Sequence, residues 1–169
     1  MPLGDMQERL RFLARVVRRE CAHLQATDRR LFGTPFSVER AQQLDADAEL
    51  SERVEAFVAR FGRLQDTLGD RLIPALLTAL GEPLGAVIDN LDRAERLGWL
   101  DSTDEWLSAR KLRHQMIHAY IEDLAILASA LQAGHGLVDR LIATANALLL
   151  ELQRRGWLTL EPPAAGTRA

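Results

Sequence analysis

The chain has 169 residues, of which 47% are hydrophobic and 27% are charged, the proportions of one globular domain with a single core. Its formal net charge of −3 argues against a protein coated in positive charge for bulk nucleic-acid binding, so contact with RNA or DNA would need a local patch. Cys21 is the only cysteine, which excludes an intrachain disulfide and favours a reducing compartment.

The first half of the chain predicts three helices. Apolar residues spaced three and four apart predict an amphipathic helix over 6–26. A break at 32–37 ends in a serine that can cap a short helix to Leu44. A long helix follows over 49–80, which Pro74 should kink or restart.

The second half continues the helical pattern. A shorter helix is predicted over 84–100, closing near a glycine. Ser102 and Glu105 have the spacing of a capping box that starts the next helix. A final helical region covers 122–154, with the sequence AGHG at 133–136 predicting a kink or a short turn.

These elements predict an all-α fold, an antiparallel bundle of about five helices, since no window alternates with period two. We expect one domain over 1–158, with an N-terminal extension to about 45, a core at about 46–155 and a disordered tail at 159–169. The acids at 45–49 lack the glycine of a calcium loop and are better explained as helix-start residues. A charged N-terminal stretch and the absence of an apolar run of ~20 residues predict a cytoplasmic protein without membrane contact.

The sequence RHQMIHAY at 113–120 concentrates an arginine, two histidines and the only tyrosine in two helical turns. On a helical wheel one arc holds mostly apolar side chains, and the opposite side is polar. The arc contains Trp106, Ala109, Met116, Ile117, Ala119 and Tyr120, whereas Lys111, His114 and His118 lie opposite. Arg113 falls inside the apolar arc, where a charge is costly unless it is paired or used.

Two interpretations of Arg113 stay open from the residues alone. The side chain can reach past the apolar stripe to water or pair with an acid such as Asp66 or Asp123. Alternatively, it lines a groove that binds an anion, since the planar guanidinium donates two hydrogen bonds to a phosphate. Arg110, Lys111 and His114 extend a local basic patch without an acid.

The two histidines are four residues apart, which is the spacing of two metal ligands on one helix, but no third ligand is apparent. A histidine can also move a proton at neutral pH. With an arginine it could cleave RNA without a metal, the arginine offsetting charge on the phosphate. Arg113 and His118 leave a straight helix about 140° apart, so they meet only if the helix ends near His118 or a second subunit supplies the partner.

The pattern Arg113-x-x-x-x-His118-x-Tyr120 resembles the R-x-x-x-x-H-x-Y motif of HepT-type toxins in the HEPN superfamily. The stretches RFGRLQDTLGDRLIP (60–74) and LDRAERLGWL (91–100), with Trp106 before the motif, resemble the same proteins. The similarity spans roughly residues 50–130.

The resemblance implies a homodimeric, metal-independent endoribonuclease that needs no cofactor, with Arg113 and His118 as the catalytic pair. It also implies the toxin of a toxin–antitoxin pair, whose antitoxin is a minimal nucleotidyltransferase (MNT type) that can transfer AMP to Tyr120. Arg110, Lys111 and His114 would support RNA binding. Many members have Asn directly after the motif arginine, where this chain has His114. Two further hypotheses are a non-catalytic helical partner of such a nucleotidyltransferase and a metal-dependent bundle.

Overall fold

The computed structural model describes residues 2–158, apart from the side chains of Tyr120 and Ile121. Within this part of the chain the structure is all-α, as predicted, with six helices and no strand. The helices are α1 (Leu3–Leu31), α2 (Val38–Gln42), α3 (48–79), α4 (Val87–Arg96), α5 (Thr103–Glu122) and α6 (Leu124–Arg154). The predicted tail at 159–169 lies outside the described residues. No helix in the described part combines the length and the apolarity that crossing a bilayer requires.

Helix α1 extends beyond both predicted ends, 6 and 26. Its buried stripe continues from Leu24 through Thr27 to Leu31 at the same three- and four-residue spacing, so the helix keeps an apolar face to pack. It lies mainly against α3 and α6. The predicted N-terminal extension is therefore packed on the rest of the helices from Leu10 onward.

Helix α3 shows the irregularity predicted from Pro74, and its form is a π-helical turn. Ala48–Asp66 is α-helical, Thr67–Leu72 is π-helical, and Ile73–Ala79 is α-helical again. The Ile73 amide donates to the Leu68 carbonyl, five residues back. A proline ring crowds the carbonyl four residues before it and offers no N–H, and the wider turn accommodates both effects without ending the helix.

Local caps fix the helix ends close to the predicted positions. The Ser37 hydroxyl accepts from the Arg40 amide at 3.2 Å at the start of α2. Helix α4 begins at Val87, later than the predicted 84, because the Asn90 side chain pairs with both backbone groups of Gly85 and holds that segment outside the helix. The acids at 45–49 serve the helix start, as predicted, since a carboxylate oxygen of Asp47 accepts from the Leu50 amide at 3.0 Å.

The short turn predicted as one alternative at 133–136 is wrong, because α6 is continuous through this segment. Gly134 lies against Phe57 of α3 and Met116 of α5, and a Cβ there would come within 3.3 Å of the phenylalanine ring and 3.4 Å of the methionine sulfur. The glycine therefore marks a close approach of three helices. Helices α5 and α6 pack on each other after a one-residue link at Asp123, whose side chain caps α6 by accepting from the Ala125 and Ile126 amides.

Candidate functional site

The site predicted from the sequence lies on α5, whose start is fixed by half of the predicted capping box. The Ser102 hydroxyl accepts from the Glu105 amide at 3.2 Å. The Glu105 carboxylate does not return the bond and instead pairs with Arg140 of α6. This pair and the cap anchor the N-terminal end of α5 at its interface with α6.

The buried face of α5 agrees with the helical wheel except at one position. Trp106, Ala109, Met116 and Ala119 are buried, as predicted. Ile117, which the wheel placed in the same arc, is 50% exposed. The C-terminal half of α5 packs through Met116 and Ala119 onto α6, and Ile117 projects well outside the arc that these two residues define.

Arg113 reaches across α3 and forms an ion pair with Asp66. One guanidinium nitrogen lies 2.6 Å from a carboxylate oxygen of Asp66, and both side chains stay partly exposed. The arginine passes directly over Gly62: a Cβ at that glycine would lie 2.6 Å from the arginine Cζ and would also clash with Nε. The acid partner that the sequence suggested is therefore Asp66, whereas Asp123 is engaged at the cap of α6.

A second ion pair lies beside the first. Arg110 donates to Asp70 at 2.6 Å, and the side-chain exposures of this pair, 32% and 44%, equal those of Arg113 and Asp66. The two acids bracket the start of the π-helical turn. Lys111 points to solvent and has no ion pair within the described residues.

His114 and His118 are both exposed, on the polar side predicted for them. Their ring centroids are 4.0 Å apart. Within the part of the chain that the structure describes, no set of three or more His, Cys, Asp or Glu residues is arranged to hold a metal ion. The pair therefore presents two neighbouring imidazoles to solvent.

A single chain does not bring Arg113 and His118 together at one point. Helix α5 continues to Glu122, so the possibility that it ends near His118 is wrong. On a continuous helix the two side chains diverge by about 140°. Tyr120 lies in the last turns of α5, and its side chain is outside the described residues.

Sequence reasoning missed Gly62 and Asp70 as parts of this site. A signal was present in the spacing. Gly62, Asp66 and Asp70 follow one another at intervals of four on one helix, which places all three on one face, and Arg110 and Arg113 share a face of the other helix. Matching two acids to two arginines across a helix pair, with a glycine at the crossing, would have found the arrangement.

The other titratable groups near this interface lie where α1 meets the π-helical turn. Burial raises the pKa of Glu20, although a hydrogen bond from the Thr67 hydroxyl (3.0 Å) and the charges of Arg63 and Arg71 act in the opposite direction. The second carboxylate oxygen of Glu20 is buried without a hydrogen-bond partner. Burial, with a smaller contribution from Glu20, raises the pKa of Cys21 to about 11, so the thiol is protonated and unreactive at neutral pH.

Comparisons with protein-family models, with curated proteins and with solved structures find no match to this chain. The arrangement on α5 is thus the basis for a functional assignment. It consists of a partly exposed guanidinium paired with Asp66 and two exposed imidazoles. Exposed apolar side chains lie on either side of the Asp123 link and form the apolar margin: Ile117 of α5, and Leu124 and Ile126 at the start of α6, which are 50%, 37% and 48% exposed.

Proposed function

We propose that this protein is a metal-independent endoribonuclease of the HEPN type, the toxin of a toxin–antitoxin pair. The observation that carries the proposal is the placement of Arg113. Its guanidinium is held by Asp66 above Gly62 and stays partly exposed, on the helix that presents His118 to solvent. An arginine held at one position can bind a phosphate without first losing much side-chain freedom.

The chemistry uses a proton carrier and a cation. His118 takes the proton of an RNA 2′-hydroxyl, whose oxygen attacks the adjacent phosphorus. The bond to the 5′-oxygen breaks, and that oxygen takes up a proton from water or from the protonated His118, giving a 2′,3′-cyclic phosphate and a 5′-hydroxyl end. Arg113 offsets the negative charge that accumulates on the phosphate oxygens during the displacement. No metal or cofactor takes part in this scheme.

A homodimer is part of the proposal, because Arg113 and His118 diverge along one helix. A second copy that lies against the exposed side of α5 would set its own His118 near Arg113 of the first. The exposed apolar margin of Ile117, Leu124 and Ile126 gives such a contact hydrophobic area beside the histidines. The interface of a twofold dimer is formed by the same surface from both subunits. Contact through the apolar margin would therefore bring the α5 helices of both subunits to the interface.

Control by an MNT-type nucleotidyltransferase is the remaining part of the proposal. Transfer of AMP to Tyr120 would add a phosphate two residues after His118. The added charge and acceptor oxygens would compete for Arg113 and repel RNA. A modified toxin would then fold normally and fail to cut.

The test is an RNA cleavage assay with purified protein in excess EDTA. We expect wild type to cut and to leave cyclic phosphate ends, and His118→Ala and Arg113→Ala to lose at least a hundredfold in rate. Asp66→Asn should also lower the rate, and by more than Asp70→Asn, because Asp66 holds Arg113 itself whereas Asp70 holds the neighbouring Arg110 through an ion pair of the same length and exposure. Equal rates for wild type and His118→Ala would defeat the proposal.

A second candidate function is a non-catalytic partner of such a nucleotidyltransferase. Its supporting observation is that Asp66 already neutralises the charge of Arg113. In this candidate function the ion pair only stabilises the contact between α5 and α3, and the guanidinium does not bind RNA. This candidate predicts a stable complex with the nucleotidyltransferase and no RNA cleavage by wild type. Co-purification of the two proteins, combined with the cleavage assay, separates the two functions.

A further inference from the structure

The outer face of α1 carries a cluster of arginines that the proposed site does not use. The sequence RLRFLARVVRR at 9–19 contains five arginines and no acid. Four of them are exposed and Arg18 is half-buried. Among the described residues, none of these five forms an ion pair. Arg11, Arg15, Arg18 and Arg19 fall within about 100° of one another around the helix, whereas Arg9 lies to one side, so these four define the surface called the α1 arginine face.

The arrangement of these arginines is unfavourable for the isolated fold. Arg11 with Arg15, and Arg15 with Arg19, stand four residues apart on one helix, where like charges repel. Among the described residues, Arg11 is the one of the five with a side-chain hydrogen bond, from its Nε to the Trp157 carbonyl at 3.2 Å. Folding therefore does not explain the concentration of positive charge, whereas a polyanionic ligand does.

An aromatic ring lies within the same surface. Phe12 is 52% exposed and lines a shallow hollow with Arg15, Val16, Arg18 and Arg19. Guanidinium groups donate to phosphate oxygens in pairs, and an exposed ring gives an unpaired base a surface on which to stack. Cations around one accessible aromatic side chain form the combination that binds a single strand.

We propose that the α1 arginine face binds single-stranded RNA through phosphate contacts from Arg15 and Arg19 and base stacking on Phe12. An anionic membrane fits less well, because Phe12 and Val16 alone supply apolar surface within the hollow, too little for insertion. Affinity for a single strand follows from the face itself. The choice of RNA over DNA rests on the proposed function. The α1 arginine face itself lies on a different helix from the motif at 113–120.

The experiment measures binding by fluorescence anisotropy with labelled RNA of about twelve nucleotides, with DNA of the same sequence and with phosphatidylglycerol vesicles. The protein carries His118→Ala, so that RNA is not consumed. We expect Arg15→Glu/Arg19→Glu to weaken RNA binding at least about tenfold and to reduce the slope of log affinity against log salt by about 0.7 per arginine. Phe12→Ala should weaken binding on the order of tenfold and leave the slope unchanged.

The matched control is Arg29→Glu/Arg96→Glu, which changes the net charge equally at two exposed arginines outside 9–19 that, like Arg15 and Arg19, form no ion pair among the described residues; it should weaken binding much less. Equal weakening by control and test variants, or no effect of either, would overturn the assignment. Equal affinity for DNA would overturn the preference for RNA, and Arg15-dependent binding to vesicles without binding to RNA would reassign the face to membranes. Arg15→Gln/Arg19→Gln repeats the test without introducing acids.

Binding without cleavage by wild type would defeat only the proposed function, and cleavage without an effect of these variants would defeat only this inference.

Discussion

Gly62 makes room for Arg113 where α5 crosses α3. The arginine side chain occupies the space into which any Cβ at position 62 would project. A glycine inside a helix weakens it by roughly 0.5–1 kcal/mol relative to alanine, so its presence here has a packing reason. The Asp66 carboxylate one turn further on then receives the guanidinium.

We therefore expect Gly62→Ala to displace Arg113 from Asp66 while changing the free energy of unfolding by less than about 1 kcal/mol, because the clashing atoms are the far end of a flexible, partly exposed side chain and alanine favours the helix by roughly 0.5–1 kcal/mol. Urea denaturation measures the change. Gly136→Ala is the matched control, because a Cβ at that helical glycine meets no atom within 4 Å, and it should stabilise by about 0.4–1 kcal/mol.

The cause can be isolated with a double substitution. In an Arg113→Ala background the clash disappears, so Gly62→Ala should stabilise by the full helical preference of roughly 0.5–1 kcal/mol, and the two effects should be non-additive. An equal effect of Gly62→Ala in both backgrounds would show that the Arg113 side chain does not determine the cost of a Cβ at position 62.

At the scale of the helices, the sequence predicts those features that depend on residues a few positions away along the chain. The starts of α2 and α5 follow from Ser37 and Ser102, because a cap bonds to an amide three residues away. The unbroken course of α6 through Gly134 could not be predicted, since it depends on Phe57 and Met116 from two other helices. Composition suggested a turn there, and tertiary packing decided otherwise.

The same distinction applies to the candidate site. The polarity of α5 was predictable at both ends of the motif, from Trp106 to Ala119, with Ile117 as the exception, because helical periodicity alone assigns its faces. Choosing Asp66 over Asp123 as the partner of Arg113 was not, since that depends on which helix α5 crosses. The exposure of Ile117 was missed for the same reason: periodicity predicts a face, and the neighbouring helix determines how wide the buried part is.

The contact between α1 and the π-helical turn should make stability depend on pH through Glu20. Its pKa is raised by burial from the ordinary 4.5, so the folded protein holds this proton more tightly than the unfolded chain. The contribution of Glu20 to stability is thus fully present below about pH 4.5 and is lost as the pH rises through the raised value. Glu20→Gln keeps a hydrogen-bond acceptor for Thr67 and removes the titration.

The expected result is that the stability of Glu20→Gln relative to wild type increases with pH across that window and then levels off. Urea denaturation at several pH values between about 4 and 8 measures this. Glu8→Gln, at an exposed position of the same helix, should leave the wild-type profile unchanged. A constant difference between Glu20→Gln and wild type at all pH values would contradict a raised pKa.

At the scale of the whole molecule, the net charge of −3 conceals an uneven distribution. Helix α1 carries seven arginines against four acids, so the remainder of the chain is more acidic than the total suggests. The local basic patch predicted from the sequence lies on α5. There Arg110 and Arg113 are neutralised by Asp70 and Asp66, whereas the α1 arginine face keeps its charge.

A composite site between two copies has a consequence that no single-chain site shares. If each site takes Arg113 from one subunit and His118 from the other, a dimer of one Arg113→Ala and one His118→Ala subunit retains one intact site and one doubly defective site. Because random exchange gives half mixed dimers, an equal mixture of the two inactive proteins should recover about one quarter of the wild-type cleavage rate.

Exchange of subunits must be verified independently, for example by co-purification through two different tags. Recovery should vanish when Ile117→Glu is added to both subunits, since that change puts a charge into the proposed dimer contact. Ile88→Glu, at a side chain of nearly equal exposure on α4, should leave the recovery intact. A mixture that exchanges subunits and stays inactive would mean that the two side chains do not act across a subunit boundary. Both would then have to function within one chain, which the 140° divergence along α5 opposes.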